Sequence, residues 1–279
     1  MAPGQIQYTF NLKSTQQWGY KLRYEGTTLI LSLKHPPSGG GVRAEGRGQR
    51  AESEKALTIK PPSATTLKVL QLTTNNQQLT TNNQQLTTAN PTPLSGIKIL
   101  LDPGHGGAED LGSRGPTGYP EKSVALLISK LVRDRLQQRG ATVFLTREAD
   151  VDVPLQDRVA LIEKVQPTLA LSLHYNALPD DGDAMKTKGV SAFWYNTQAH
   201  SLAVFLHNYL TRTLKRSSYG VFWDNLALTR PTTTPSVLLE LGFMINPDEF
   251  EWITNPREQQ RLATAIADGI TAWLKTTQR

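Results

Sequence analysis

Ile97-Lys98-Ile99-Leu100-Leu101-Asp102-Pro103-Gly104-His105-Gly106-Gly107 starts as an apolar run, turns polar at Asp102 and breaks at Pro103-Gly104. A short apolar run closed by Pro and Gly reads as a buried strand, here Ile97–Asp102. Downstream the period changes. Between Lys122 and Gln138, apolar residues fall at Val124, Leu127, Ile128, Leu131, Val132 and Leu136, and Gly140 follows as a stop. That spacing predicts a helix. Thr142–Thr146 reads as a strand, and Leu155–Val165 as a helix with Pro154 near its first turn. Leu169–His174, Val190–Tyr195 and Val237–Leu241 read as strands, Gln198–Leu214 and Pro256–Leu274 as helices. Strands alternating with helices specify an α/β domain on a mostly parallel sheet flanked by helices.

Upstream of this domain lie two zones of different texture. In residues 5–36, Ile6, Tyr8 and Phe10 alternate with polar positions, and Thr27–Leu33 is rich in β-formers, with Glu25-Gly26 a turn between the runs. Two or three strands cannot sustain a core alone, so 1–37 is read as a β-strand remnant of an upstream domain or as a piece docked on the main one. From 38 to 94 the composition is polar. Leu72-Thr73-Thr74-Asn75-Asn76-Gln77-Gln78 recurs as Leu79–Gln85 and begins again at Leu86. One leucine per heptad leaves half of a coiled-coil seam polar, so this zone is read as a low-complexity linker. The α/β domain then occupies 95–279.

The chain has no cysteine, which excludes disulfides and thiolate metal sites; any metal must sit on His, Asp or Glu. A net charge of +6 raises the question of polyanions, but the basic residues are dispersed and no nucleic-acid partner is expected. Met1-Ala2-Pro3-Gly4-Gln5 offers no basic start before an apolar run, so no signal peptide is read, and no apolar stretch suits membrane insertion.

In open α/β sheets, ligands bind beyond the carboxyl ends of the strands. His105 lies just past the first strand of the α/β domain, His174 closes its third, Glu240 falls near the end of its last, and Glu121 opens its first helix. Four groups of suitable chemistry thus fall on one rim. Two neutral imidazoles and a carboxylate make three zinc ligands and leave a fourth position for water. Glu240, set in Val-Leu-Leu-Glu-Leu-Gly-Phe, would be buried at a cost unless paired, protonated or beside a metal, and suits proton transfer. Asp102 is expected to accept the other ring N–H of His105 and fix its tautomer. His35, His200 and His207 read as ordinary residues. Neither His-Glu-x-x-His nor G-x-G-x-x-G occurs at these positions.

Residues 96–275 resemble the zinc-dependent N-acetylmuramoyl-L-alanine amidases, whose catalytic domain is often called amidase type 3. The resemblance runs in order through Leu101–Gly107, Glu121-Lys122, Val143–Asp150, Leu155–Arg158, Leu171–Ala177 (which includes Asn176) and Pro235–Asn246. It implies a six-stranded α/β domain and one zinc ion on His105, Glu121 and His174. It also implies Glu240 as the catalytic glutamate; Asp102 and Asn176 are expected, apart from the resemblance, in supporting positions behind the metal ligands. The implied substrate is peptidoglycan, cut between N-acetylmuramic acid and L-alanine, at a periplasmic or cell-wall location. Ser201–Leu226 leaves room for one helix and little more, so the inhibitory helix of some family members is not expected. The rival readings are a zinc peptidase acting within the stem peptide, a wall-binding module without turnover and, on the glycine-rich loop, a phosphate-binding protein.

Overall fold

The computed structural model describes residues 16–25, 28–34, 55–59, 92–179 and 181–277, the backbone alone for 55–59. The strand expected around Ile6–Phe10, the Gly26 turn, the heptad repeats and His35 lie outside the described residues. Three antiparallel strands come first: β1 (Tyr20–Glu25), β2 (Thr28–Leu33) and β3 (Lys55–Ile59), in the order β1-β2-β3. β3 falls inside the zone read as linker. It completes the small sheet by pairing Leu29 with Ile59 through to Leu33 with Lys55.

The main sheet is built from β4 (Lys98–Pro103), β5 (Thr142–Leu145), β6 (Leu169–Asn176), β7 (Val190–Trp194), β8 (Ser218–Trp223) and β9 (Ser236–Phe243). Their order is β5-β4-β6-β9-β7-β8, parallel except for β7 against β9. The expected six-stranded, mostly parallel sheet is therefore present. Its helices are α1 (Glu121–Gln137), α2 (Leu155–Val165), α3 (Thr197–Leu214), α4 (Pro247–Thr254) and α5 (Pro256–Thr277). β8 directly follows α3, and among the described residues only one 3₁₀ turn, Ala227–Thr229, separates it from β9.

Strand alternation sends Ile99, Leu101, Leu171, Leu173, Ala192, Val237 and Leu239 to one face, where they form the main core with α1, α3 and α5. The opposite face carries a smaller cluster of Leu100 and Ala170 beneath Ile162 of α2 and Leu228 of the 3₁₀ turn. The polar residues Asp102, Ser172, His174 and Glu240 share this second face by the same alternation.

The N-terminal piece is docked on the main domain. Trp18 is buried and packs on Trp273 of α5, with ring centroids 5.5 Å apart. The Tyr20 N–H donates to Thr232 O at 2.7 Å, Gln16 bridges Gln198 and Ser201, and the Lys34 ammonium donates to the carbonyls of Gln166 and Pro167. Residues 167 and 232 precede β6 and β9, so docking is at the end of these strands remote from His174 and Glu240.

Candidate metal centre

His105, Glu121 and His174 each present a ligand atom within 4.8 Å of the others. Glu121 sits at the centre of the group, with Oε2 3.2 Å from His105 Nε2 and Oε1 3.1 Å from His174 Nδ1. The two imidazoles meet edge to face, centroids 4.9 Å apart. Glu121 is held from behind as well. Its oxygens accept the backbone N–H groups of Ser113 at 2.8 Å and Tyr175 at 2.9 Å. The Ser113 hydroxyl lies 2.9 Å from Glu121 Oε2. Burial alone would push this carboxyl upward, but the hydrogen bonds and charges of His105 and His174 prevail and hold it far below the usual carboxylate range. Burial pulls the His105 pKa down, yet Glu121 and Asp110 outweigh it and the net shift is upward.

His105 reaches this position from a left-handed backbone, φ 58°, which L-residues seldom adopt. The carbonyls of the loop that carries it are gathered by two buried guanidiniums. Arg147 donates to Pro103 O at 3.1 Å and to Gly104 O and Lys122 O at 2.8 Å; Arg158 donates to Pro103 O at 2.7 Å and His105 O at 2.8 Å. Lys122 ties the far side of the loop, donating to Gly107 O at 2.7 Å and Asp150 Oδ2 at 2.6 Å. Two glycines keep space open: a Cβ at Gly104 would overlap the His174 ring, and one at Gly112 would overlap the His105 ring and the Glu121 carboxylate.

The role expected of Asp102 is corrected. Asp110, five residues after His105 rather than three before it, accepts from His105 Nδ1 at 2.5 Å. Asp102 is buried inside the sheet, where it accepts from Thr146 Oγ1 and Ser172 Oγ at 2.5 Å and from Arg158 at 2.9 Å. Its carboxylate neutralises the guanidinium that holds the loop, so it acts on His105 through the backbone and not through the ring. Asn176 ends β6 opposite Phe243, and among the described residues its side chain makes no hydrogen bond to the cluster.

Glu240 pairs in register with His174 on one side and Ser191 on the other. Its Oε2 is buried without a hydrogen-bond partner among the described residues. Burial pushes its carboxyl well above the usual range, with the Glu121 charge adding to the effect. Two imidazole nitrogens and one carboxylate oxygen match the donor set of a divalent ion with an open position, and Glu240, in register with His174, leaves one buried oxygen without a partner among the described residues.

Sequence reasoning passed over Asp110 and Ser113, and it gave no role to Lys122, Arg147 and Arg158, although the motifs Glu121-Lys122, Val143–Asp150 and Leu155–Arg158 contain them. Arg147 and Arg158 each fall shortly beyond the carboxyl end of a strand or at the start of a helix on the same rim, a position that could have flagged them. Nothing local marks Asp110, whose role depends on how the loop folds back.

Comparisons with known proteins converge on one family. Residues 99–272 match the Amidase_3 model, described as N-acetylmuramoyl-L-alanine amidase. A germination-specific N-acetylmuramoyl-L-alanine amidase of Bacillus subtilis is 34% identical over 202 residues, 64% of this chain and 80% of that protein. A probable cell wall amidase, LytH, of Staphylococcus epidermidis is 33% identical over 179 residues; the alignment spans 64% of this chain and 58% of LytH. Among solved structures, the amidase AmiC2 of Nostoc punctiforme superposes with a TM-score of 0.60 at 34% identity, covering 66% of this chain and 99% of that one. The catalytic domain of CwlV, from Bacillus (Paenibacillus) polymyxa, superposes equally well at 30% identity, covering 64% and 98%.

Proposed function

The chain belongs to the Amidase_3 family of N-acetylmuramoyl-L-alanine amidases, and from that membership we propose that it hydrolyses the amide joining N-acetylmuramic acid to L-alanine in peptidoglycan. The observation that carries this reading is the meeting of His105, Glu121 and His174 beside a buried, unpartnered Glu240 oxygen. His105 through Nε2, His174 through Nδ1 and Glu121 through a carboxylate oxygen would hold one zinc ion. Zinc, when bound, supplies a Lewis acid for the amide carbonyl and lowers the pKa of the attacking water.

The rest of the work falls to the chain itself. Asp110 accepts from His105 Nδ1–H, which fixes the tautomer and leaves Nε2 with a free lone pair facing Glu121. Ser113 and the Tyr175 N–H keep the Glu121 carboxylate from rotating. Glu240 takes the proton from the attacking water and delivers it to the alanine nitrogen as the C–N bond breaks. Its raised affinity for a proton suits the second half of that task. Residues 95–279 are assigned as the catalytic domain and 38–94 as a linker interrupted by β3. The names of the relatives support a cell-wall location, and no described helix is long and apolar enough to cross a membrane.

Digestion of purified peptidoglycan with and without a chelator tests the reading. New N-terminal alanine without new reducing ends, abolished by the chelator and restored by zinc, is the expected result. Freed N-termini of other residues would establish the peptidase instead, and absence of any product would leave a binding module. Glu240→Gln is expected to retain zinc while losing about 10²–10⁴-fold in kcat. Loss of the metal from that variant would reassign Glu240 as a ligand.

A further inference from the structure

The sheet face that bears Glu240 continues past it onto two strands. Among the described helices, α3 lies against β7 and β8 on the other face, while on this face α2 and the 3₁₀ turn pack over residues of β4, β5 and β6, and the turn lies against β9. Glu240 pairs with Ser191 of β7, and Ser191 pairs with Gly220 of β8, so the three positions form one row across the sheet. At the end of the row stands an aromatic group. Phe222 stacks on Phe193 with centroids 5.3 Å apart and an interplanar angle of 29°, and Tyr219 leans on Phe222 at 5.9 Å.

The Phe222 ring is folded back over Gly220: a Cβ at Gly220 would come within 2.6 Å of the ring's Cζ. The ring therefore lies level with Glu240, two strand spacings away, or roughly 10 Å. Phe222 and Tyr219 are 37% and 45% exposed, so this aromatic group is open to solvent. Between ring and glutamate lies Ser191, fully buried beneath the side chains of this face. A flat, partly exposed aromatic wall level with the glutamate has the form of a ligand subsite.

We propose that Phe222, backed by Phe193 and flanked by Tyr219, stacks on the pyranose ring of the N-acetylmuramic acid whose amide is cut. The inference rests on the amidase reading above and names a specificity surface for it. Three bonds of the lactyl bridge separate that sugar ring from the scissile carbonyl, placing the ring centre roughly 5 Å from it, given bond lengths near 1.5 Å. An amide held in contact with Glu240 would thus bring the sugar onto the wall. The C–H face of a pyranose is apolar and complements the negative face of an aromatic ring. The peptide side of the substrate is anionic and would call for cations, yet neither Val190–Trp194 nor Ser218–Trp223 contains a charged residue.

The test compares two substrates with the zinc-loaded full chain: a disaccharide-linked L-alanyl peptide, and the same peptide bearing only the lactyl group. Phe222→Ala is expected to lower the ratio of kcat/KM between the two about tenfold, through KM of the sugar-bearing substrate, and Phe222→Trp to restore it. A parallel measurement needs no turnover: binding of the disaccharide peptide to Glu240→Gln should weaken by a similar factor when Phe222→Ala is added. Equal losses on both substrates would place the wall against the peptide or show a structural effect, and unchanged parameters would show that nothing stacks there; either overturns the proposal. A wild-type protein that releases alanine from neither substrate sinks the amidase reading and takes the sugar assignment with it. Cleavage by wild type with no preference between the substrates keeps the amidase and removes the subsite.

Discussion

His105 occupies a left-handed backbone position that only glycine adopts freely, and the cost of holding it there is met by Arg147 and Arg158 gripping the loop carbonyls. The ring itself is oriented by Asp110. Asp110→Ala should lower zinc affinity about 10–100-fold with the fold intact, read by competition against a chromogenic chelator. Unchanged affinity would mean that the ring is positioned by its backbone alone. Glu240 makes a different demand on pH. In the metal-free protein its folded-state pKa lies above the ordinary 4.5, so the folded state binds the proton more tightly than the unfolded one. The associated stability is fully present below the unfolded value and is lost as pH rises through the folded one. Thermal melts of the metal-free wild type should therefore fall more steeply as pH rises above about 4.5 than those of Glu240→Gln. Parallel curves would show that the carboxyl is solvated.

β4 and the loop after it are the element on which the site depends. The strand is apolar on both faces from Ile99 to Leu101, and Asp102 then turns inward to Thr146, Ser172 and Arg158 instead of outward to a ligand. Its carboxylate thereby locks β4, β6 and α2 together beneath the loop. Gly104, at the crossing point, must pass beneath the His174 ring. Gly104→Ala is expected to destabilise the protein by ~1–3 kcal/mol in urea titrations, as overpacking does, and to weaken zinc binding in the same samples. A neutral effect on both would show that the two loops part easily. β8 and α4 escaped sequence reading for physical reasons. β8 carries Gly220 and a register shift, which break the two-residue alternation, and α4 is eight residues long, too short for a helical period to show.

For the molecule as a whole, the N-terminal piece and the candidate metal centre lie at opposite ends of the same strands. Trp18→Ala should cost ~3–5 kcal/mol, as for other buried tryptophans, while kcat at a temperature where the variant stays folded is unchanged. A matching loss of kcat would show that the two ends are coupled. The α/β rhythm, the six motifs in order and the residues His105, Glu121, His174 and Glu240 were all determined by the sequence. Hydrophobic period and residue type are local properties, and the rule that strand ends share a rim converts order along the chain into proximity. The tertiary structure alone decided which carboxylate partners which ring. It put Asp110 and not Asp102 on His105, buried Arg147 and Arg158 beneath the loop, and set Phe222 level with Glu240. Those contacts join residues whose separation along the chain carries no period, so only the path of the folded loops and the register of neighbouring strands could select them.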